Sequence, residues 1–195
     1  MDKTFCIFGD SVTQAAYIKS SWVELLRNYL ENKYHGDFVN VFNLGIGGNT
    51  SDDILNRFNA ECQSRQPTDI IFLFGVNDSG YFRTPDKLIV QEDRFIDNIN
   101  NLILNAKTFC RNITFIGLAL GDDSLLKPFP GSSKGKSYDI ARVKKYNNLL
   151  IKISDTNSCR FISIMDKLDN NDFIDGLHPN DKGHLKMFDE IKKWF

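Results

Sequence analysis

The sequence has little net charge, no long apolar run and no paired cysteines, and each absence narrows the possible functions. Its 195 residues include 24 basic and 25 acidic side chains, which give a formal net charge of −1 at pH 7. Such a balance provides no overall field that would attract nucleic acid or an anionic membrane. We therefore expect a small-molecule substrate and no nucleic-acid partner.

Membrane and export signals are also missing. No apolar stretch approaches the roughly 20 residues that a membrane-spanning helix needs. The first apolar run, residues 4–8, is too short for the core of a signal peptide. We expect a cytoplasmic protein without a membrane span, although a leader removed before Met1 would leave no trace in the chain.

The four cysteines have none of the short spacings that indicate zinc sites or redox dithiols. Cys6 and Cys159 lie in or beside apolar runs, where a small hydrophobic side chain would serve equally well. Cys62 and Cys110 are likewise isolated along the chain. We expect free, mostly buried thiols, and the sequence predicts neither a metal site nor an organic cofactor.

Short apolar runs alternate with segments of helical periodicity along the whole chain. This alternation is typical of a parallel sheet covered by helices on both faces. A chain of 195 residues that is 42% hydrophobic is long enough for one sizeable core, so a single domain over residues 1–195 is expected. The pattern predicts a three-layer α/β/α sandwich with a mainly parallel sheet of five strands, at residues 4–8, 38–44, 69–74, 113–118 and 160–164.

Five helices are predicted between and after these strands. The first two begin at capping-box patterns, Ser21 with Glu24 and the run Thr50-Ser51-Asp52-Asp53. The others are expected over about residues 90–110, 138–154 and 180–194. The apolar stripe predicted to face the core in the last helix is Leu185, Phe188 and Ile191.

Three polar residues at opposite ends of the chain have the chemistry of a nucleophile, a base and an orienting acid. Ser11 follows the strand at 4–8, at the carboxyl edge where open parallel sheets bind ligands. Asp175 and His178 lie in a turn before the last helix, and an Asx-type turn would bring the carboxylate to Nδ1 of His178. Nε2 would then be free to accept the serine proton. The sheet is expected to bring the three side chains together.

Two further loops at the same edge offer donors for an oxyanion. In Gly45-Ile46-Gly47-Gly48-Asn49-Thr50-Ser51, the glycines let a backbone N–H approach a ligand at the start of a helix. In Gly75-Val76-Asn77-Asp78, the Asn77 amide can point from a strand end into the same cleft. Each loop alone is better explained as a tight turn and a helix cap, but their order on successive strands favours a single site.

In these blocks the chain resembles the GDSL, or SGNH, hydrolase family. The remaining two matching blocks are Gly9-Asp10-Ser11-Val12 and Asp175-Gly176-Leu177-His178-Pro179. The resemblance implies a flavodoxin-like fold and a catalytic triad of Ser11, Asp175 and His178, with no cofactor. It also implies oxyanion donors at Ser11, Gly48 and Asn77. Val12 replaces the usual leucine, and because Gly47 and Gly48 are adjacent, Gly48 is chosen only for its place before Asn49.

By this resemblance the chain is expected to be a serine hydrolase that cleaves carboxylic esters through an acyl-serine intermediate. Similar proteins act on lipid esters, aryl esters, thioesters and acetylated sugars, so a carbohydrate O-deacetylase and a thioesterase are the alternatives within the family. The lack of a large apolar lid sequence favours short acyl groups such as acetyl. The oligomeric state cannot be read from the sequence.

Segment 121–137, rich in Pro, Gly and Ser, is either a lid or substrate-facing flap or a plain surface excursion. It contains a G-x-S-x-G pattern centred on Ser133, but Pro128 and Pro130 argue against the strand that a nucleophile elbow needs. Gly135-Lys136-Ser137 resembles the end of a phosphate-binding loop, whose first glycine is replaced by Pro130. A P-loop-like nucleotide hydrolase and a non-catalytic α/β binding domain are the alternatives from other classes.

Overall fold

The structure, a computed structural model, describes residues 2–35 and 38–195 and contains a five-stranded parallel sheet. Its strands, together with those of a small ribbon, are β1 (Lys3–Gly9), β2 (Val39–Gly45), β3 (Asp69–Leu73), β4 (Tyr81–Phe82), β5 (Asn112–Ile116), β6 (Lys136–Ser137) and β7 (Arg160–Ile162). The sheet has the order β2-β1-β3-β5-β7, and every neighbouring pair is parallel. The five predicted strands are confirmed, with ends displaced by at most two residues.

Helices cover both faces of this sheet, as predicted for an α/β fold. They are α1 (Ser11–Gln14), α2 (Trp22–Lys33), α3 (Ser51–Arg65), α4 (Val76–Ser79), α5 (Glu92–Ala106), α6 (Ile140–Thr156) and α7 (Asp181–Ile191). Four 3₁₀ turns complete the described elements, at Asp123–Leu126, Met165–Lys167, Asn170–Asp172 and Lys192–Trp194. In the described parts of the chain, none of these helices is both long and apolar enough to cross a bilayer.

Two hydrophobic cores lie on either side of the sheet because side chains alternate along a strand. In β1, Cys6 and Phe8 pack into the core that contains α3, α5 and α6. Phe5 and Ile7 of the same strand pack into the opposite core, with α2 and α7. A strand buried on both faces reads as a continuous apolar run, which is why the sequence located it. That the chain forms a single domain over residues 1–195 stays a prediction.

Helix α7 differs from its prediction in which residues it buries. Leu185 is 49% exposed, whereas His184 is fully buried. The imidazole can be buried because both ring nitrogens have partners: Nδ1 accepts from the Trp22 N–H at 3.3 Å, and Nε2 lies 3.3 Å from the Tyr17 hydroxyl. Ile191 is buried as predicted and Phe188 is partly buried, so the prediction is wrong only at the start of the helix, where His184 is buried in place of Leu185.

Segment 121–137 folds back along the carboxyl edge of the sheet. Within it, Asp123–Leu126 forms a 3₁₀ turn, and β6 pairs antiparallel with β4, which follows β3 and α4. The N–H of Phe129 donates to the Lys136 carbonyl at 2.8 Å, so the segment closes on itself as a loop. This pairing carries Lys136 and the following Tyr138 to the edge where β3 ends.

Candidate active site

Ser11 lies at the carboxyl end of β1, where it begins the four-residue helix α1. The Asp10 side chain caps this helix by accepting a hydrogen bond from the Val12 N–H at 3.0 Å. The cap fixes the backbone around Ser11 at the end of the strand. The hydroxyl oxygen lies 2.9 Å from Nε2 of His178, although 167 positions separate the two residues along the chain.

The turn before α7 holds His178 against Asp175. One carboxylate oxygen, Oδ1, accepts from the backbone N–H groups of Leu177 and His178 at 3.0 and 2.8 Å. The other, Oδ2, lies 2.8 Å from Nδ1 of His178. Because a carboxylate can only accept, the proton sits on Nδ1, and Nε2 presents its lone pair to Ser11. This is the Asx-type turn that the spacing predicted.

The pKa of Asp175 reflects these contacts. Partial burial by itself would raise the pKa of the carboxyl group. The hydrogen bonds from the His178 ring and from the His178 and Leu177 N–H groups outweigh burial and hold the pKa below its usual value. Asp175 is therefore ionised at neutral pH, and its negative charge lies beside Nδ1 of His178.

Aromatic rings from two other segments surround His178. The Tyr17 ring meets the imidazole edge-on at a centroid distance of 5.1 Å, and the Phe129 ring lies 6.0 Å away. Only 19% of the His178 side chain remains exposed. The rings reduce the access of water to the imidazole, and they restrict its rotation.

Backbone donors at the site distinguish the two adjacent glycines. The Gly47 N–H donates to Oε1 of Gln14 at 3.0 Å and is already occupied. Within residues 2–35 and 38–195, the N–H groups of Ser11 and Gly48 have no acceptor. Gly48 adopts a φ of +80°, which favours glycine, and no atom lies within 4 Å of where its Cβ would stand. The geometry thus leaves Gly48, as chosen from the sequence, with the free donor.

Asn77 completes this set of donors from the start of α4, directly after β3. Its Nδ2 donates to the Asn49 carbonyl at 3.1 Å, and Oδ1 accepts from the Tyr138 hydroxyl at 3.0 Å. An amide nitrogen carries two hydrogens, so one remains for a ligand. Asn77, Ser11, Gly48 and His178 line one cleft of about 270 Å³.

Two buried carboxyl groups lie directly behind the cleft. Asp10 precedes Ser11 and Asp78 follows Asn77, and burial raises the pKa of each to about 7. Oδ1 of Asp78 accepts from the Ser51 N–H at 2.9 Å, and Oδ2 has no partner among the described residues. Both carboxyl groups therefore change charge near neutral pH.

Arg57 of α3 ties together the loops that carry Ser11 and Gly48. Its Nη2 donates to the carbonyls of Leu44 at 2.7 Å and Gly9 at 3.4 Å, and its Nε donates to Oδ1 of Asn49 at 3.0 Å. These three acceptors lie at the ends of β1 and β2 and in the loop after β2. The guanidinium thereby fixes the spacing between the two loops.

The sequence analysis missed the supporting residues Gln14, Arg57, Lys136 and Tyr138. Each reaches the site through a side-chain contact to a distant residue, and no local spacing signals such a contact. Ser133, the centre of the G-x-S-x-G pattern, is exposed in the loop, and the element that follows it is the strand β6 instead of the helix that a nucleophile elbow needs. No cluster of three or more His, Cys, Asp and Glu side chains that could hold a metal ion occurs in residues 2–35 and 38–195.

Solved structures with the same fold include several esterases. A lipase/acylhydrolase from Enterococcus faecalis superposes with a TM-score of 0.78 at 20% identity, covering 98% of this chain and 94% of that one. Axe2, an acetylxylan esterase from Geobacillus stearothermophilus, gives 0.77 at 17% identity, covering 98% and 93%. The esterase EstA from Pseudoalteromonas sp. gives 0.73 at 20% identity, covering 99% and 98%. At these identities the likeness establishes the fold.

Sequence comparison adds the family. A lipoprotein of Bacillus subtilis (strain 168), YqeF, is 32% identical over 99 residues, which are 47% of this chain and only 38% of the lipoprotein. The model of the GDSL-like lipase/acylhydrolase family matches residues 7–186, nearly the whole length. The chain therefore belongs to the GDSL-like lipase/acylhydrolase family.

Proposed function

We propose that the protein hydrolyses carboxylic esters through an acyl-serine intermediate, with Ser11 as nucleophile, His178 as base and Asp175 as orienting acid. The observation that carries the proposal is the continuous chain of two short contacts, 2.9 Å from the Ser11 hydroxyl to His178 and 2.8 Å from His178 to Asp175. A nucleophile, a base and a group that orients the base, all within hydrogen-bond distance, form the arrangement needed for acyl transfer.

In the proposed first step, Nε2 of His178 takes the hydroxyl proton as Ser11 attacks the ester carbon. The resulting tetrahedral oxyanion accepts hydrogen bonds from the N–H groups of Ser11 and Gly48 and from Nδ2 of Asn77. Donors fixed in advance at such an oxygen are each worth on the order of 10²–10³ in turnover. The imidazolium then protonates the leaving alcohol, and the acyl group stays on Ser11.

In the second step, water replaces the alcohol. His178 removes a proton from the water as it attacks the acyl-serine carbon, and the same three donors hold the second oxyanion. Collapse of this intermediate releases the carboxylic acid and returns the proton to Ser11. Asp175 stays ionised throughout and stabilises the imidazolium at Nδ1.

The composition of the cleft supports a short acyl group such as acetyl. Gly131, Ser132, Ser133 and Lys134 line part of the cleft and offer little apolar surface for a long acyl chain, and the apolar lining is limited to Phe129, Tyr138 and Leu177. The acetylxylan esterase among the structures of the same fold makes an O-acetylated carbohydrate a second candidate substrate class. A thioesterase activity is the remaining alternative. Cytoplasmic location stays a prediction, since the B. subtilis relative is a lipoprotein.

Labelling with a fluorophosphonate tests the proposed nucleophile. We expect the wild-type protein to be modified at Ser11, located by peptide mass spectrometry, and the Ser11→Ala variant to stay unlabelled. The same variant should lose roughly 10⁶ in kcat, as when a serine hydrolase loses its nucleophile. A Ser133→Ala variant, which removes another hydroxyl from the cleft, is the matched control and should still be labelled. Substantial ester hydrolysis by Ser11→Ala would refute the proposal.

A substrate series tests the acyl preference. Values of kcat/KM for p-nitrophenyl esters from acetate to palmitate should fall as the acyl chain lengthens. An acetylated xylo-oligosaccharide and an acetyl thioester measured beside them separate the three candidate substrate classes. A maximum at palmitate would contradict the preference for short acyl groups while leaving the proposed nucleophile untouched.

A further inference from the structure

The oxygen of the Asn77 carboxamide is held by two donors from segment 136–138. The Tyr138 hydroxyl lies 3.0 Å from Oδ1, and Nζ of Lys136 lies 3.4 Å from the same atom. An ammonium group can only donate, so the atom that it faces must be the amide oxygen. The opposite side of the amide, Nδ2, is therefore turned toward the Asn49 carbonyl and the cleft.

Rotating the Asn77 amide by 180° would have two costs. Nδ2 would face the ammonium group of Lys136, donor against donor, and the Asn49 carbonyl would face Oδ1. The cleft would then present a carbonyl oxygen where an oxyanion is to be held. Lys136 and Tyr138 together favour the orientation in which a hydrogen of Nδ2 points at the ligand.

Both donors are themselves anchored. The Tyr138 side chain is 1% exposed, its ring packs edge-on against Phe129 at 5.9 Å, and its N–H donates to the Leu126 carbonyl at 3.0 Å. The Lys136 backbone is fixed by pairing with Phe82 and by the bond from its N–H to Oγ of Ser132 at 3.0 Å. The Tyr138 ring and the Lys136 backbone therefore do not depend on Asn77 for their positions.

The charge on Lys136 is available to the amide because no carboxylate neutralises it at short range. In the described parts of the chain, no Asp or Glu oxygen lies within 4 Å of its Nζ. Burial lowers the pKa of Lys136, against the opposing effect of Asp10, Asp53 and Asp78. A bond from a cation to Oδ1 polarises the carboxamide and makes Nδ2 a stronger donor.

We propose that Tyr138 and Lys136 are positioning residues, which hold the Asn77 carboxamide with Nδ2 directed at the oxyanion of the reaction. The inference rests on the proposed function, because it assigns Asn77 to the oxyanion. It extends that function to a segment outside the four sequence blocks. Segment 121–137 and the residue after it would then act on the reaction through Asn77 and not only as a wall of the cleft.

A double-mutant cycle tests the coupling. We measure kcat and KM for p-nitrophenyl acetate with wild type, Asn77→Ala, Tyr138→Phe and the double variant. Tyr138→Phe should lower kcat about tenfold with little change in KM, since one of two bonds that orient the amide is lost. In the Asn77→Ala background the same change should alter kcat less than about twofold. If the losses of kcat in Asn77→Ala and Tyr138→Phe simply multiply in the double variant, the two residues act independently and the proposal is overturned.

Tyr146→Phe is the matched control, because it also removes a buried hydroxyl. Tyr146 lies on α6, and its hydroxyl donates to the Val90 carbonyl at 2.6 Å. Its kcat should stay near the wild-type value. If Tyr138→Phe proves unstable in a urea titration, the same cycle is measured with Lys136 variants instead. Lys136→Met should lower kcat several-fold, whereas Lys136→Arg should keep most of the wild-type kcat. In the Asn77→Ala background, neither substitution should change kcat. A Lys136→Met cost that persists in Asn77→Ala would also overturn the proposal.

Fluorophosphonate labelling of wild type separates this inference from the proposed function. If Ser11 is labelled but the losses of kcat in the double-mutant cycle are independent, the positioning role is refuted and the proposed nucleophile stands. No labelling of Ser11 would remove both, because an oxyanion at Asn77 requires attack by Ser11.

Discussion

Replacing Arg57 with glutamine should both destabilise the fold and slow the reaction, because this guanidinium connects the loops of the site. It donates to the Leu44 carbonyl at 2.7 Å and to Oδ1 of Asn49 at 3.0 Å. It also lies over the Phe8 ring at 5.4 Å. Glutamine is too short to reach both acceptors, so these contacts are lost together.

The structure sets the size of the effect. A hydrogen bond that involves a charged group contributes about 1.5–3 kcal/mol, and Arg57 makes two with good geometry. Burial of the guanidinium, which lowers the pKa of Arg57, offsets part of this gain. We therefore expect the free energy of unfolding to fall by about 3 kcal/mol, a large share of a typical total of roughly 5–15 kcal/mol.

The effect on the reaction follows from the spacing of the loops. Ser11 and Gly48 stand on the two segments that Arg57 joins, and a displacement of about 1 Å at such a site can cost up to about 10²-fold in rate. We expect kcat for p-nitrophenyl acetate to fall by roughly 10–10²-fold. Urea titration gives the stability, and both measurements are made at a temperature at which the variant is folded.

Arg65, two turns further along α3, provides the control. It pairs with Glu61 at 2.7 Å and lies over the Phe42 ring at 5.1 Å, but it contacts neither loop of the site. Arg65→Gln should cost about 1 kcal/mol or less, as for other half-exposed ion pairs, and should leave kcat unchanged. Equal losses of stability in the two variants, with wild-type kcat in Arg57→Gln, would refute the reasoning.

Three further predictions concern charged groups. Asp175→Asn should lower kcat at pH 7 by about 10⁴, since an amide can donate to Nδ1 of His178 and select the wrong tautomer; a loss under tenfold would contradict this. Burial lowers the pKa of His184 to about 4, so below pH 6.5 the unfolded chain binds a proton that the folded chain does not. This histidine should therefore lower stability by up to about 3 kcal/mol between pH 6.5 and 4, against the opposite slope from Asp10 and Asp78, so the stability of wild type relative to His184→Asn should fall by about that amount over this range in urea titrations. Burial raises the pKa of Asp78 to about 7, above its unfolded value, so this carboxyl should lower stability as pH rises from about 4 to 7, with no further loss above 7. Asp78→Asn should flatten that fall, and an unchanged slope would show that Asp78 is already ionised at low pH.

The central strands could be predicted because they are buried on both faces. Residues 69–73 of β3 are all buried, and a run of this kind reads as uninterrupted hydrophobicity. The first residues of the helices could also be predicted, because capping boxes mark them. The Ser21 hydroxyl accepts from the Glu24 N–H while the Glu24 carboxylate accepts from the Ser21 N–H. These signals are local, since each depends on residues within one element.

The helix face of α7 shows where local reasoning fails. The stripe of Leu185, Phe188 and Ile191 is the more apolar choice, yet the chain buries His184 instead of Leu185. The partners that make this possible, Trp22 and Tyr17, are 162 and 167 residues away. No pattern within the helix contains that information.

The candidate site divides in the same way. Ser11, Asp175 and His178, and the donors at Gly48 and Asn77, are brought together at one cleft, and their roles stay predictions. Gln14, which occupies the neighbouring glycine N–H, and Tyr138, which holds Asn77, act across 33 and 61 positions. Such contacts depend on how loops pack at the sheet edge, so they became visible only in three dimensions.

The 167 positions between Ser11 and His178 have a consequence for biosynthesis. Under the proposed mechanism, a nascent polypeptide that has not yet emerged beyond His178 carries the Ser11 hydroxyl without the base that would deprotonate it. Hydrolysis by this mechanism can begin only after translation has passed that histidine and α7 has packed into the core on its side of the sheet. Ester turnover during synthesis would thus report the completed fold, and a ribosome stalled upstream would hold an inert chain.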